Sequence, residues 1–221
     1  MPAQATPRVL PTRVGLVWDA SGSARQRDRA AEFAVLDRYF GAMGTGKVEL
    51  TVLRDRAEPT RRFRIQGGDW SALRTYLTGL PLDGASALGA WTPRADIGEY
   101  LLVSDGLANY GSQTLPTLSP DQRLYALSSA GAKTDTPRLR AWTSAHQGQL
   151  LQVSSEAEVP GVLPLLLQQP VDVADVVARG VEDVNVDVSS ATQGWIRVTG
   201  RVLRPDATVL LSLRGGANDP Q

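Results

Sequence analysis

The chain contains no cysteine and only one histidine, His146. The lack of cysteine excludes disulfide bonds, thiolate metal sites and cysteine nucleophiles. A single histidine excludes zinc sites built from several histidines. A Ser-His-Asp hydrolase would depend on His146 alone, and no serine stands in the strand-turn-helix setting of a nucleophile elbow. We interpret His146 as a packed or solvated side chain and do not expect an enzyme.

Long apolar runs and an excess of charge are also missing. No stretch approaches the roughly 20 apolar residues that a membrane helix requires, and the first dozen residues lack the apolar core of a signal peptide. The 23 basic residues balance the 23 acidic ones, so no overall field favours nucleic acid or an anionic membrane surface. We therefore expect a protein or small-molecule partner and no membrane insertion of this segment.

Short apolar runs alternate with stretches of helical spacing. The apolar runs are typical of strands buried on both faces of a parallel sheet, and they predict strands at 13–18, 48–53, 63–65, 100–104, 123–128 and 150–153. Helical spacing predicts helices at 24–43, 69–80, 136–145 and 159–168, with another between 88 and 98 that Pro93 would shorten or bend. This alternation predicts an α/β fold with a doubly wound, mostly parallel sheet that has helices on both faces.

One link in this order is too short for a parallel connection. The polar segment 54–62 is shorter than the dozen or so residues that a parallel crossover needs, so the strands it joins should form an antiparallel hairpin at the sheet edge. The arginines of this hairpin could bind an anion, but protection of the edge against aggregation is the simpler interpretation.

The residue pattern of the sequence changes after Pro170. Alternating or apolar runs at 184–188, 195–198 and 209–213 have turn residues between them and no helical pattern. We expect a linker at 1–12, an α/β domain at 13–169, and a β-rich extension at 170–221 that belongs to a second β domain. Both ends look like cut points in a longer protein, and the scarcity of lysine is typical of a GC-rich bacterial genome. Acidic residues in the extension are interpreted as solvent-facing strand positions and not as a second cation site, and these are Asp172, Asp175, Glu182, Asp183 and Asp187.

Oxygen-bearing side chains follow two of the apolar strands. Asp19, Ser21 and Ser23 leave the first strand at every second residue, and Asp105 stands at the equivalent end of the strand at 100–104. Between them, a loop places Ser86 at the start of a predicted helix. Because ligands of open α/β sheets collect at the carboxyl ends of the strands, we expect these five side chains to meet there. Two carboxylates and three hydroxyls suit Mg²⁺ or Mn²⁺ and leave the ion open to an anionic oxygen from outside.

Simpler interpretations of the same residues remain open. The loop that starts at Asp19 could cap the following helix without binding an ion, and Asp105 could be an ordinary turn residue. Trp91, near the loop that carries Ser86, is as well explained by core packing as by a contact surface.

Three parts of this pattern resemble a known family. Residues 13–23, 84–88 and 101–106 look like the three parts of the metal-ion-dependent adhesion site (MIDAS) of von Willebrand factor A domains and integrin inserted domains. The resemblance continues through 139–153 and covers about residues 13–169. It implies a six-stranded sheet with one antiparallel edge strand, a Mg²⁺ or Mn²⁺ site at Asp19, Ser21, Ser23, Ser86 and Asp105, and binding of a protein partner that presents an Asp or Glu carboxylate to the metal.

Two positions depart from the family pattern. The family usually has threonine where this chain has Ser86, which keeps the hydroxyl but loses the methyl group that restrains its rotamer. Ser128 and Ser129 stand where the family commonly has Gly-x-Gly, so the resemblance does not fix the geometry of this loop.

Three functions are compatible with this sequence. The leading hypothesis is a divalent-cation-dependent protein-binding module. The alternative is a structural scaffold of the same fold whose metal site is empty or vestigial. A metal-assisted hydrolase is the third, and it lacks an identifiable general base.

Overall fold

The structure, a computed structural model, describes residues 7–169, 172–187 and 196–214. Residues 1–6 of the predicted linker, and Val188 and Trp195 of two predicted strands, lie outside the described residues. The chain divides into two compact units, Leu10–Leu166 and a second one made of Met1–Val9 with Leu167–Gln221.

The larger unit contains one six-stranded sheet. Its strands are β1 (Arg13–Asp19), β2 (Gly46–Leu53), β3 (Arg61–Ile65), β4 (Glu99–Val103), β5 (Arg123–Ser128) and β6 (Leu150–Gln152). They lie in the order β3-β2-β1-β4-β5-β6, with β2 and β3 antiparallel and all other neighbours parallel. The predicted strands are therefore confirmed, including the antiparallel hairpin at one edge, and so is the fold class.

Four α-helices accompany the sheet among the described residues, and they are α1 (Arg29–Met43), α2 (Ser71–Thr78), α3 (Thr136–Ala145) and α4 (Val159–Leu167). The first begins later than predicted. A short 3-10 helix occupies Gly22–Gln26, and α1 starts only after Asp28, whose Oδ1 accepts a hydrogen bond from Ala31 N over 3.0 Å. An aspartate at this position satisfies a backbone N–H that the first helical turn cannot. Gly44 ends α1, as predicted, with a positive φ of 69°.

The helix predicted between 88 and 98 is wrong, because the segment is irregular along its whole length. Side chains from elsewhere satisfy its backbone in place of a helical ladder. Tyr100 Oη accepts from Arg94 N over 2.6 Å, and Gln122 Nε2 donates to Arg94 O and to Ile97 O, both over 2.7 Å. Three apolar side chains of the segment are buried in the core, and these are Leu88, Trp91 and Ile97.

The burial of β1 follows from its position in the middle of the sheet. Every residue of β1 after Arg13 is buried, as expected for a strand with neighbours on both edges and layers on both faces. Gly15 leaves room for the ring of Tyr100 on β4, since an added Cβ would lie 2.2 Å from a ring atom. The central position of β1 brings its carboxyl end beside those of β2 and β4.

The smaller unit has only β-structure among its described strands and helices. It contains β7 (Asp172–Arg179), β8 (Val181–Asp187), β9 (Arg197–Val202) and β10 (Thr208–Arg214), which pair antiparallel as β10 with β7 and β8 with β9. These strands lie outside the six-stranded sheet, which confirms the predicted β-rich extension, although β7 itself was not predicted as a strand. No described helix of the chain is both long and apolar enough to cross a bilayer.

Candidate metal centre

Asp19, the last residue of β1, is fully buried at the carboxyl end of the sheet. Its Oδ2 accepts hydrogen bonds from Ser104 Oγ over 2.7 Å and from Ser86 Oγ over 3.2 Å, and its Oδ1 accepts from Ser21 N over 3.0 Å. The carboxylate of Asp19 therefore joins three segments that are distant in sequence.

The turn after β1 carries the two other predicted hydroxyls. Ser21 is buried and Ser23 is partly buried, and their Oγ atoms lie 3.1 Å apart. Gly22 N donates to Gly84 O over 3.0 Å, which ties this turn to the loop that carries Ser86. Two parts of the sequence motif thus meet through the backbone as well as through side chains.

Ser86 lies in that loop and not at the start of a helix. Its N–H donates to Asn109 Oδ1 over 2.7 Å, and its carbonyl accepts from Asn109 N over 3.1 Å. These two hydrogen bonds fix the position of Ser86 without helical structure. Asn109 was missed by sequence reasoning, and its place in the loop just after Asp105 and Gly106 is the only sequence signal that could have indicated it.

Asp105 follows β4, one residue beyond Ser104. Because Trp18 of β1 is in parallel register with Val103 of β4, Asp19 stands beside Ser104. The carboxylate of Asp105 is buried and its Oδ1 accepts from Leu107 N over 3.0 Å. Asp105 makes no hydrogen bond to the other four predicted residues. Those four are linked by hydrogen bonds between Asp19 and Ser86, Asp19 and Ser21, and Ser21 and Ser23. Asp105 lies next to them because it follows Ser104, which donates to Asp19.

A buried ion pair lies behind these two strand ends. Arg27 donates from its two terminal nitrogens to Asp19 O over 2.9 Å and to Val103 O over 3.1 Å, and its Nε lies 3.0 Å from Glu32 Oε1. Burial raises the pKa of Glu32, and the Arg27 charge and a hydrogen bond from Ser129 Oγ oppose that rise. Sequence reasoning missed this pair.

Two acidic side chains give the site its negative charge. Asp19 and Asp105 are both buried, yet neither forms an ion pair with a basic side chain in the part of the chain that the structure describes. Burying a carboxylate without an opposite charge is costly, and hydrogen bonds offset only part of that cost. No three His, Cys, Asp or Glu side chains cluster as a metal group in the described ranges. A cation here would depend on two carboxylates and on hydroxyl oxygens, a donor set that fits Mg²⁺ or Mn²⁺.

The rim of the site carries exposed apolar side chains. Leu107 and Tyr110 are 42% and 55% exposed, and Tyr110 N donates to Ser86 O over 3.3 Å. Beside Gly84 opens a surface cleft of about 640 Å³, whose lining is Arg54, Asp55, Arg56, Glu58, Pro59, Asp83 and Gly84. An apolar rim and a charged cleft thus flank the buried oxygens.

The remaining sequence candidates have structural positions. Trp91 is buried against Tyr100, with ring centroids 4.9 Å apart, so it belongs to the core and not to a contact surface. Arg62 pairs with Glu49, and Arg61 lies over the Tyr76 ring at 4.9 Å. His146 follows α3, and its carbonyl accepts from Leu124 N at the amino end of β5, far from the carboxyl ends of the strands.

No protein-family model matches the chain, and no curated protein matches it. Solved structures do. An aerotolerance-related membrane protein from Bacteroides fragilis, solved with multiple mutations to serines, is 13% identical with a TM-score of 0.49, over 71% of this chain and 98% of that one. A von Willebrand factor type A protein from Catenulispora acidiphila is 15% identical with a TM-score of 0.49, over 94% of this chain and 55% of that one. The ArnB paralog VWA2 from Sulfolobus acidocaldarius is 11% identical with a TM-score of 0.46, over 94% of this chain and 66% of that one. These similarities concern the fold alone.

Proposed function

We propose that this chain is a divalent-cation-dependent protein-binding module of the von Willebrand factor A type. Asp19, Ser21, Ser23, Ser86 and Asp105 would hold Mg²⁺ or Mn²⁺, some of them through water. The observation that carries the proposal is the junction at Asp19, where one buried carboxylate meets the hydroxyls of Ser86 and Ser104 at the carboxyl end of the sheet.

The electrostatics support a cation at this place. Two buried carboxylates without a basic partner favour a divalent ion that neutralises both. Hydroxyl ligands add no charge, so the ion would stay more electrophilic than with a third carboxylate. When bound, it would attract a carboxylate oxygen from a partner into the partly desolvated site.

The surroundings support a protein as the partner. Leu107 and Tyr110 expose apolar surface at the rim, and tyrosine is among the side chains enriched at protein interfaces. A partner that presents an Asp or Glu to the ion would cover this surface at the same time. The ion would then supply a charged contact and the rim would supply apolar contact.

Binding without catalysis is part of the proposal. A hydrolase would need a general base beside the proposed ion. His146 contacts the amino end of β5, which is the opposite end of the parallel strands from Asp19 and Asp105. The other competing function is a scaffold of the same fold that binds no metal, and only a measurement of metal uptake separates it from our proposal.

Titration calorimetry with Mg²⁺ and with Mn²⁺ tests the proposal. The unaltered chain should bind one ion, and Asp19→Ala should abolish uptake because Asp19 joins all three parts of the site. Asp83→Ala is the matched control, since Asp83 is an exposed carboxylate on the loop of Ser86 that pairs with Arg54 over 3.0 Å. It should weaken uptake far less. Absence of uptake of either ion at millimolar concentration would contradict the binding module and favour the scaffold.

A further inference from the structure

The guanidinium of Arg27 connects β1, which ends in Asp19, with β4, which ends two residues before Asp105. One terminal nitrogen donates to the carbonyl of Asp19, the last residue of β1, and the other donates to the carbonyl of Val103, the last residue of β4. Both contacts are to backbone, at 2.9 and 3.1 Å. A planar fork with two parallel donors spans adjacent strand ends in a way that a single ammonium group cannot.

The surroundings of Arg27 leave it little freedom to move. Its side chain is 2% exposed and that of Glu32 is 1% exposed. Glu32 lies 3.0 Å from Arg27 Nε and accepts a hydrogen bond from Ser129 Oγ over 2.8 Å, which links the pair to the end of β5. The guanidinium also lies over the Trp18 ring, 5.4 Å from its centroid. Arg27 therefore has a fixed place among the ends of three neighbouring strands.

We propose that Arg27 is a positioning residue of the metal centre, which sets the spacing of the β1 and β4 ends and so the spacing of Asp19 and Asp105. Glu32 neutralises Arg27, so that the guanidinium does not repel the cation. This inference rests on the proposed function, because it assigns a role toward the same ion.

The physical reason is that Asp19 and Asp105 have no direct contact through which to set their own spacing. The ladder between β1 and β4 ends at Trp18 and Val103, so one residue further on Asp19 and Ser104 are held together by a side-chain hydrogen bond. The Arg27 contacts lie at this last pair and one residue beyond it. Groups that orient metal ligands from behind typically change metal affinity about 10- to 100-fold when they are removed.

A double variant separates positioning from stability. Arg27→Met alone would leave the Glu32 carboxylate buried without its partner and could prevent folding. Arg27→Met with Glu32→Gln removes both charges together, keeps similar volumes and leaves an acceptor for Ser129 Oγ. Because the net charge near the site is unchanged, a change in metal affinity then reports geometry and not electrostatics. Glu32→Gln alone keeps both carbonyl contacts but leaves Arg27 without its partner, so it measures the electrostatic effect of the guanidinium on the ion separately from its geometric effect.

Two readouts are needed, one with metal and one without. With Mn²⁺, we expect the double variant to bind at least about tenfold more weakly than the unaltered chain, while its melting temperature is no lower than that of Glu32→Gln, which leaves Arg27 buried without its partner. Without metal, we expect amide hydrogen exchange to be about tenfold faster at Ser21 and Gly106, whose N–H groups donate to Asp19 Oδ1 and Ser104 Oγ. Exchange in the β2–β3 ladder should not change.

The two readouts keep this inference distinct from the proposed function. If the unaltered chain takes up no Mn²⁺ but exchange at Ser21 and Gly106 is faster in the double variant, the proposed function fails and the positioning of the strand ends stands. If the unaltered chain binds Mn²⁺ and the double variant binds it equally well, the positioning role is overturned, whatever the exchange rates. If exchange is unchanged and no metal binds, both proposals fail.

Discussion

At the scale of single residues, Ser104 shows what a sequence pattern leaves out. Its hydroxyl donates the shortest hydrogen bond to Asp19, at 2.7 Å, and also accepts from Gly106 N over 3.0 Å. The sequence placed Asp105 at the site because a carboxylate after an apolar strand is conspicuous. A serine at the end of the same strand is not, since its role depends on the register between β1 and β4, which the sequence does not contain.

Replacement of Ser104 should weaken metal binding. In Ser104→Ala, Asp19 Oδ2 keeps only the contact from Ser86, so the carboxylate is less firmly oriented. We expect the Mn²⁺ affinity to fall about tenfold and the free energy of unfolding to fall by about 1 to 3 kcal/mol, because the amide of Gly106 loses its acceptor. Calorimetry and urea unfolding measure the two effects.

Ser128→Ala is the matched control for this variant. Ser128 is the buried last residue of β5, one strand further along the sheet, and its hydroxyl contacts Thr134 Oγ1 over 2.8 Å instead of Asp19. It should lower stability without changing Mn²⁺ affinity. Equal losses of affinity in both variants would mean that Ser104 acts through general stability and not through Asp19.

At the scale of elements, the edge hairpin contains a buried carboxylate that stabilises it. Glu49 of β2 is paired in register with Arg62 of β3 and also contacts Arg13 at 2.6 Å. Burial alone would raise the pKa of Glu49, but hydrogen bonds from Arg13 and Arg62 outweigh it and hold the pKa below its ordinary value of 4.5. The hairpin arginines are thus partly used in the sheet, and no anion is needed to explain Arg62.

This pairing predicts a pH-dependent contribution to stability. A carboxylate with a lowered pKa in the folded state stabilises the fold above the pKa of the unfolded chain, and the effect is lost as the pH falls through the folded pKa. Glu49→Gln should therefore cost about 1 to 2 kcal/mol at pH 7, since its arginine partners are partly exposed. The difference from the unaltered chain should shrink below about pH 4.5. Urea unfolding at pH 7 and pH 3 measures it, and an equal difference at both would contradict the pairing.

The connection between α3 and β6 depends on a glycine. A Cβ added at Gly148 would lie 1.8 Å from Leu124 O, so β5 leaves no room for a side chain there. Gly148→Ala should lower the free energy of unfolding by about 3 kcal/mol through overpacking. Gly161→Ala in α4 is the contrasting variant, because nothing lies within 4 Å of its added Cβ. It should stabilise the chain by about 0.5 to 1 kcal/mol, and thermal unfolding that ranks the two variants the other way would refute this account of β5.

Most elements of the larger unit could be predicted from local pattern alone. The helix predicted at 88–98 could not, for a physical reason. Strands β1, β4 and β5 are continuous apolar runs, and α3 is flanked by Asp135 as its N-cap and by Gly148. Segment 88–98 also has apolar residues, but its backbone bonds to Tyr100 and Gln122, which lie outside the segment. Contacts of this kind depend on the assembled fold, so a local pattern cannot reveal them.

At the scale of the whole molecule, Asp19 and Asp105 lie at the same edge of the sheet because the sheet is parallel around β1. A parallel arrangement brings the ends of β1 and β4 to one edge, so five residues between positions 19 and 105 could be grouped from the sequence. The groups behind that edge could not be predicted. Arg27 and Glu32 look like ordinary charged residues before a helix and within it, and only their burial between strand ends distinguishes them.

The central claim is that an ion at this site accepts a carboxylate from outside, and Mn²⁺ gives a direct measurement. Protein-bound Mn²⁺ that keeps water in its shell accelerates the relaxation of water protons. We predict that the chain enhances this relaxation when Mn²⁺ is added, that millimolar acetate or glutarate reduces the enhancement by displacing bound water, and that Asp105→Ala shows neither effect while still folding. Enhancement that no carboxylate alters, or no enhancement at all, would contradict the account.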